Sequence, residues 1–234
     1  NGILIEAYIE NTNARIKSGK RIIDASLETQ ALINIFENGN PSFLYNKHLS
    51  IETSIHYGLI DKILKIDSTE LLVEKAEFLC QGTMDFGNNL DLDIEIDGQK
   101  PDFNLFLAFV PEAYAPILKR YNNGGNVYFE STIKGPSLNG NNPHFDIYFG
   151  CSEAFVENTE EEVGVNDLFF KGYFTNGEEN DLSTMRLSIE DFVASPETGS
   201  FKANIDVNDF ESPDINMQLD SELNLDFLAE FFNI

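Results

Sequence analysis

The segment Leu90-Asp91-Leu92-Asp93-Ile94-Glu95-Ile96-Asp97 decides the fold class, because apolar and acidic residues alternate along its whole length. Successive side chains of a β-strand point to opposite faces of the sheet. A period of two therefore predicts a strand with one apolar face and one acidic face. Such strands are typical of antiparallel sheets that have one face in water.

The same alternation recurs along most of the chain. It covers residues 23–36, 49–57, 127–133, 145–151, 201–207 and 215–219. Short segments rich in Asn, Gly and Pro separate these runs and favour hairpin turns. Hairpins join antiparallel neighbours, whereas parallel pairs need long crossovers, so the sequence predicts about a dozen antiparallel strands.

Two segments have a helical period instead. Within 102–121, apolar residues such as Val110, Tyr114 and Ile117 recur at spacings of three and four, which predicts a helical insertion. The same spacing in 225–232 predicts a second short helix that covers one end of a sheet. The whole chain, residues 1–234, is predicted to form a single β-rich segment that contains the helical insertion at 102–121.

The charge of the chain excludes some classes of partner. It has 40 acidic and 15 basic residues, which give a formal net charge of -25. Nucleic-acid binding needs clustered Lys and Arg, so we expect no nucleic-acid partner. The same scarcity argues against docking on anionic lipid through a basic patch. The sequence also lacks an apolar run of the ~20 residues that a membrane-spanning helix requires.

Motifs for catalysis are missing from the sequence. It contains neither the G-x-S-x-G nucleophile elbow nor a P-loop or dinucleotide fingerprint. His48, His56 and His144 are predicted to be surface residues, with His56 and His144 on polar strand faces. We therefore expect neither an enzyme nor a cofactor.

Four acidic residues could suggest a metal site, since Asp91, Asp93, Glu95 and Asp97 share one strand face. An extended strand separates such neighbours by about 6.6–7 Å, which is too far for several of them to bind one ion. We interpret these residues as a solvated face and predict no metal site.

The two cysteines, Cys80 and Cys151, are far apart in the sequence and form no C-x-x-C motif. Small buried apolar residues are the simplest interpretation. The sequence leaves open whether they form a disulfide.

The predicted strands together make a broad apolar face, which must be covered by a second sheet, by helices or by a ligand. One solution is a large, curved antiparallel sheet that forms a groove or an open, barrel-like structure. The alternative is a β-sandwich in which two sheets bury each other. The alternation alone favours the sandwich.

A resemblance to known proteins favours the curved sheet over the sandwich. The order of AEFLCQGTMDF at 76–86, LDLDIEIDG at 90–98, the helical segment 101–114, GNVYF at 125–129 and IKG at 133–135 resembles the C-terminal regions of AsmA-family proteins. The resemblance is strongest to those from Bacteroidota-like bacteria. The closing LNLDFL at 223–228 also resembles the strand-then-short-helix unit of that family.

The resemblance implies a periplasmic segment of a longer envelope protein, anchored to the inner membrane by a part upstream of Asn1. It further implies a role in outer-membrane assembly or lipid transport, related to TamB-like and bridge-like lipid transfer proteins. Their long β grooves shield acyl chains, so a phospholipid or another envelope lipid is the expected partner. The resemblance supplies no catalytic residues.

Candidate groove residues follow from the alternation in this chain. They are Ile23, Ala25, Leu27, Ile33, Leu90, Leu92, Ile94, Ile96, Phe145, Ile147 and Phe149. Apolar side chains at these positions would contact acyl chains, which need no charged partner. The alternative function is an extracellular or periplasmic binding or adhesion sandwich, with ligand contacts in loops such as 139–143.

Overall fold

The computed structural model describes residues 3–37, 39–111, 114–197 and 199–232. Within these residues it has twelve strands: β1 (Ile3–Ser18), β2 (Ile22–Glu37), β3 (Asn40–Gly58), β4 (Ile63–Val73), β5 (Ala76–Asp85), β6 (Asp91–Lys100), β7 (Tyr121–Pro136), β8 (His144–Asn158), β9 (Val163–Thr175), β10 (Arg186–Pro196), β11 (Gly199–Asn208) and β12 (Asp214–Leu223). The helices are short: α1 (Asn104–Leu107), α2 (Ala115–Leu118) and α3 (Leu225–Phe232).

The strands form one antiparallel sheet in sequence order, from β1 to β12. Most neighbouring strands are joined by turns or short connections, as the alternation and the turn signals predict. The exception is the pair β6 and β7, which residues 101–120 connect. The sheet is open, because β1 and β12 stand at the two ends of this order. The all-β class and the antiparallel pairing are therefore confirmed, and the strands belong to one sheet, whereas a sandwich has two.

Contacts divide the chain into two compact units. The N-terminal unit comprises Asn1–Gly98, Asn104–Ala113 and Ser131–Pro143. The C-terminal unit comprises Gln99–Phe103, Tyr114–Glu130 and His144–Ile234.

In the N-terminal unit, α1 covers one end of the strands. Leu105 is completely buried, and Phe78 in β5 is only 4% exposed. Gly98 makes this packing possible, because a Cβ there would lie 2.8 Å from Leu105 and 2.9 Å from Phe78. The phenyl ring of Phe109 adds an aromatic contact, with its centroid 5.9 Å from that of Phe78.

In the C-terminal unit, α3 has the corresponding position at a strand end. Phe227 is 7% exposed, and the Tyr121 hydroxyl donates a 2.8 Å hydrogen bond to the carbonyl of Phe231. Asn158, at the end of β8, donates to the carbonyls of Glu230 and Phe231 at 3.2 and 3.0 Å. The helix predicted at 225–232 is thus confirmed, together with its packing on a sheet end.

The helical insertion predicted at 102–121 is much shorter in the structure. Its described residues contain only the single turns α1 and α2, and β7 already begins at Tyr121. Pro111 explains why α1 does not continue, since it has no N–H to donate within a helix, whereas Pro116 lies in the first turn of α2, where proline is tolerated. Glu112 and Ala113, which the prediction included, lie outside the described residues.

β-Bulges interrupt the regular register in both units. An extra residue in β4 shifts its pairing with the segment Glu52 to Ile55 of β3, and an extra residue in β8 shifts its pairing with β9 between Cys151 and Ala154. In the C-terminal unit, bulged segments contain Glu153, Asp167 and Asp191, with φ of 51°, 50° and 54°. Each bulge bends its strand locally and increases its twist.

Candidate functional site

The N-terminal unit has one apolar sheet face, which we call the N face. Cross-strand partners point to the same side of a sheet, so the register defines its members. One row of partners runs through Ile16, Ala25, Ile55, Ile66, Gly82 and Ile94, from β1 to β6. The face comprises Ile5, Ala7, Ile9, Thr12, Ala14, Ile16, Ile23, Ala25, Leu27, Thr29, Ala31, Ile33, Ile35, Lys47, Leu49, Ile51, Thr53, Ile55, Tyr57, Leu64, Ile66, Thr69, Leu71, Val73, Ala76, Phe78, Cys80, Gly82, Met84, Leu92, Ile94 and Ile96.

Polar groups on the N face are few, and its lysine and threonines have partners. Lys47 is the only charged side chain among these positions, and it is 6% exposed. Its ammonium donates a 2.8 Å hydrogen bond to the carbonyl of Val110. The hydroxyls of Thr12 and Thr29 lie 2.8 Å apart and bond to each other across β1 and β2. The N face therefore offers a ligand almost no unsatisfied polar group.

Helix α1 covers only one end of the N face. Ala76 near the helix is completely buried, and Val73 is 5% exposed. Further along the same strands, Ile55 and Leu64 are half-buried. In β1, Ile9 and Ile16 are 68% and 71% exposed. The unit thus leaves a wide apolar surface in contact with water.

The C-terminal unit has a second apolar sheet face, the C face, defined in the same way. Its members are Phe145, Ile147, Phe149, Cys151, Ala154, Val156, Asn158, Val163, Val165, Leu168, Phe170, Gly172, Phe174, Leu187, Ile189, Phe192, Ala194, Pro196, Phe201, Ala203, Ile205, Val207, Ile215, Met217, Leu219, Ser221 and Leu223. None of these positions has a charged side chain. In β12, Ile215 and Met217 are more than half exposed.

Phenylalanine rings cross the C face from strand to strand. The centroid of Phe170 lies 6.2 Å from that of Phe149 and 5.9 Å from that of Phe192. Phe192 continues the row to Phe201 at 5.4 Å. Such contacts between aromatic rings stabilise the unit beyond the burial of their area, and they give the face a continuous aromatic surface.

Ten of the eleven candidate groove residues lie on these faces. Ile23, Ala25, Leu27, Ile33, Leu92, Ile94 and Ile96 belong to the N face, and Phe145, Ile147 and Phe149 belong to the C face. Leu90 lies on neither face, because β6 begins at Asp91. Leu90 has a turn conformation with φ of 53°, and its carbonyl accepts a hydrogen bond from the Ser137 amide at 3.2 Å.

The acidic residues of β6 lie on the opposite, polar face. Asp93 is 3.4 Å from the ammonium of Lys134, and Glu95 accepts a 3.0 Å hydrogen bond from Gln81. Within the described residues, no group of three or more His, Cys, Asp or Glu side chains is arranged to hold a metal ion.

Two histidines join cross-strand networks on the polar faces, as their alternation predicts. His56 lies between Asp24, at 2.7 Å, and Asp67, at 2.8 Å. These hydrogen bonds, the one to Asp24 first, raise the pKa of His56 above its ordinary value. His144 lies 3.0 Å from both Asn180 and Asp146. These networks connect neighbouring strands, and each is exposed to solvent in part.

Both cysteines are free thiols, which answers the question that the sequence left open. Cys80 is half-buried on the N face, where burial raises the pKa of its thiol. Cys151 is 1% exposed, and burial raises the pKa of its thiol to about 11. Neither thiol is activated as a nucleophile, because the reactive form is the thiolate.

Across the described ranges, no helix combines the length and the apolar character needed to cross a membrane. No family model matches the chain, and it matches neither a curated protein nor a solved structure. What the chain does must therefore be inferred from its two apolar faces.

Proposed function

We propose that this chain is a non-catalytic segment of an AsmA-like envelope protein that shields lipid acyl chains on its apolar sheet faces. The observation that carries the proposal is the N face. It extends over β1–β6, α1 covers only one end of it, and Lys47 is the single charged side chain among the positions named above.

The exposure of these faces supports the proposal that they bind a ligand. Soluble proteins rarely leave large contiguous apolar patches in water, and patches of this kind mark interaction sites. Ile5 and Ile9 on the N face and Ile215 and Met217 on the C face are each more than half exposed. A flexible apolar ligand could cover such a face without requiring any matching charge.

The expected mechanism is passive. Each methylene group that moves from water onto an apolar surface gains roughly 0.8 kcal/mol. About ten shielded methylenes would therefore offset on the order of 8 kcal/mol of the cost of taking an acyl chain out of a bilayer. The Thr hydroxyls and the Lys47 ammonium already have partners. The face would therefore bind an acyl chain without fixing its position along the strands.

The sequence resemblance supports the cellular context of the proposal. It favours the periplasm as the location and outer-membrane assembly or lipid transport between membranes as the process. The acidic polar faces, which contribute to a net charge of -25, would keep the protein soluble while the apolar faces are occupied.

Extraction of bound lipid tests the proposal. The protein is expressed in a bacterial periplasm and purified without detergent, and its organic extract is analysed by mass spectrometry. The matched variants differ only in sheet face. Ile51→Glu/Ile55→Glu places two carboxylates on the N face, whereas Ser50→Glu/Ser54→Glu places them at adjacent positions of β3 on the polar face.

We expect phospholipid or another acyl lipid in the extract of the wild type and of the Ser50→Glu/Ser54→Glu variant. The Ile51→Glu/Ile55→Glu variant should lose most of it, with an unchanged circular dichroism spectrum. Absence of lipid from the wild type, or equal lipid in all three proteins, would contradict the proposal. In the first case the adhesion alternative would become the better hypothesis.

A further inference from the structure

The N-terminal unit has a second unusual surface at the end of its strands, which we call the basic tip. It is formed by the turns at 17–22, 58–63, 85–90 and 136–142. The first three connect β1 to β2, β3 to β4 and β5 to β6. Alternate turns of an antiparallel sheet in sequence order lie at the same end of the strands.

Backbone hydrogen bonds hold these turns together. The Leu59 amide donates to the carbonyl of Arg21 at 2.8 Å, and the Phe86 amide donates to the carbonyl of Lys62 at 3.0 Å. The Leu138 amide donates to the carbonyl of Asn89 at 3.2 Å. The four turns therefore form one continuous surface within the N-terminal unit.

Large apolar side chains project from this surface into water. Ile60 is 73% exposed, Phe86 and Ile22 are each 51% exposed, and Leu59 and Leu138 are 43% and 48% exposed. Loop residues that contribute nothing to a core are normally polar, so a cluster of exposed Ile, Leu and Phe indicates an apolar partner.

The charge of the basic tip is opposite to that of the chain. The four turns contain Lys17, Lys20, Arg21 and Lys62 against two acids, Asp61 and Asp85, a net charge of +2 in a chain of -25. Two further acids border the turns: Asp24 lies opposite Lys17 in the β1–β2 register, and Asp91 accepts a hydrogen bond from Asn88. The two carboxylates accept hydrogen bonds from the amides of Ile63 and Gly87. In the part of the chain that the structure describes, the four basic side chains form no ion pair.

We propose that the basic tip docks on the surface of a bilayer that contains anionic lipid. Ile60 and Phe86 would enter the boundary between headgroups and acyl chains, while Lys20, Arg21 and Lys62 contact lipid phosphates. Apolar insertion together with basic residues is the usual combination of proteins that bind a membrane surface. The long stems of Lys and Arg can lie on apolar surface while their charges remain at the headgroups.

The net charge of the chain argues against lipid docking through a basic patch only if the charge is evenly spread. At about 0.15 M salt, charges more than roughly 8 Å apart are largely screened. The local charge at the contact therefore decides the sign of the interaction. This inference does not depend on the N face holding a lipid, so the two proposals can fail separately.

Vesicle flotation at about 0.15 M salt tests the docking. The vesicles contain either phosphatidylcholine alone or equal amounts of phosphatidylcholine and phosphatidylglycerol. Two variants change the tip: Ile60→Ser/Phe86→Ser removes apolar side chains, and Lys20→Gln/Lys62→Gln removes two charges. Their matched controls are Leu182→Ser, at an apolar residue that is 51% exposed in the C-terminal unit, and Lys75→Gln/Lys202→Gln, at two exposed lysines outside the tip.

We expect the wild type and both controls to float with the mixed vesicles and to stay in solution with phosphatidylcholine alone. Each tip variant should bind the mixed vesicles about tenfold more weakly. Circular dichroism establishes that each variant is folded.

Three outcomes would overturn the docking proposal. They are a wild type that does not float with the mixed vesicles, equal flotation with both vesicle types, and tip variants that float as well as their controls. None of these outcomes bears on whether lipid is extracted from the purified protein.

Discussion

Phe149 in β8 lies directly opposite Gly172 in β9, and its ring occupies the space where a Cβ of residue 172 would be. Three ring atoms of Phe149 would collide with that Cβ. A glycine is therefore required at this point so that the aromatic row can lie close to the sheet. In this pair, one of the largest side chains of the C face packs over its smallest residue.

The first prediction concerns this pair. Gly172→Ala forces the Phe149 ring out of its position and should lower the free energy of unfolding by about 1–3 kcal/mol, the usual cost of overpacking. Urea unfolding measures the change. Gly164→Ala in the same strand is the control, because its Cβ meets no atom closer than 3.3 Å.

A double-mutant cycle makes this prediction specific. Phe149→Ala removes the ring, so Gly172→Ala should cost little in that background, and the two effects should be strongly non-additive. Additive losses would show that Gly172 is needed for another reason.

The second prediction concerns the attachment of α3 in the C-terminal unit. Asn158 is completely buried and its amide nitrogen donates to the carbonyls of Glu230 and Phe231. Asn158→Ala leaves these carbonyls without that donor, and the loss should be about 1–3 kcal/mol. Hydrogen exchange should show faster exchange in 225–232 than in the wild type. Unchanged exchange there would mean that the apolar contacts of Phe227 and Phe231 suffice to hold the helix.

The third prediction concerns pH. Because the hydrogen bonds to Asp24 and Asp67 raise the pKa of His56 in the folded chain, its contribution to stability is complete below the unfolded pKa of about 6.5. That contribution is lost as the pH rises through the raised pKa of folded His56. The pKa of Asp67 is lowered, first by Lys65 and then by His56, so its contribution is lost as the pH falls through that lowered pKa.

Titration by NMR spectroscopy checks the pH prediction directly. The imidazole of His56 should titrate above pH 6.5, and Asp24→Asn should lower its pKa. His56→Gln should flatten the fall in stability that accompanies a rise in pH through the pKa of folded His56. A wild-type pKa below the ordinary value would show that the network does not form in solution.

The fourth prediction distinguishes the two thiols. Cys151 is 1% exposed with a pKa of about 11, so a maleimide should not label it in the folded protein. Cys80 is half-buried on the N face and should react slowly but measurably, since burial also raises its pKa. Equal labelling rates for the two thiols would contradict the burial of Cys151 within the C face.

Much of this architecture could be predicted from local patterns. The alternation in 90–97 and 145–151 identifies two strands and the apolar side of each, because side-chain direction depends only on parity along a strand. The helix at 225–232 was also predictable, because the spacing of its apolar residues by three and four is a local pattern. Leu90 was not, because its turn conformation depends on contacts with Ser137, which is far away in the sequence.

The remaining features depend on residues that are distant in the chain. Lys47 has the same parity as Leu49 and Ile51, which places it on the N face, but no local pattern shows that the Val110 carbonyl accepts its hydrogen bond. The basic tip combines Lys20 and Lys62 from different turns. The composition of the whole chain shows only its negative net charge and cannot show this local cluster. In 102–121, apolar spacing predicted a helical insertion with a second short helix from Pro111, whereas the described helical pieces, α1 and α2, are single turns.

The central claim is that acyl chains contact the N face, and photo-crosslinking within β3 tests it most directly. A benzophenone amino acid is placed at Ile55, on the N face, or at Ser54, on the polar face, and the protein is irradiated in intact bacterial cells. We predict a lipid adduct, seen as a mass increase of the intact protein, at position 55 and none at position 54. Equal adducts at both positions, or none at position 55, would contradict the account.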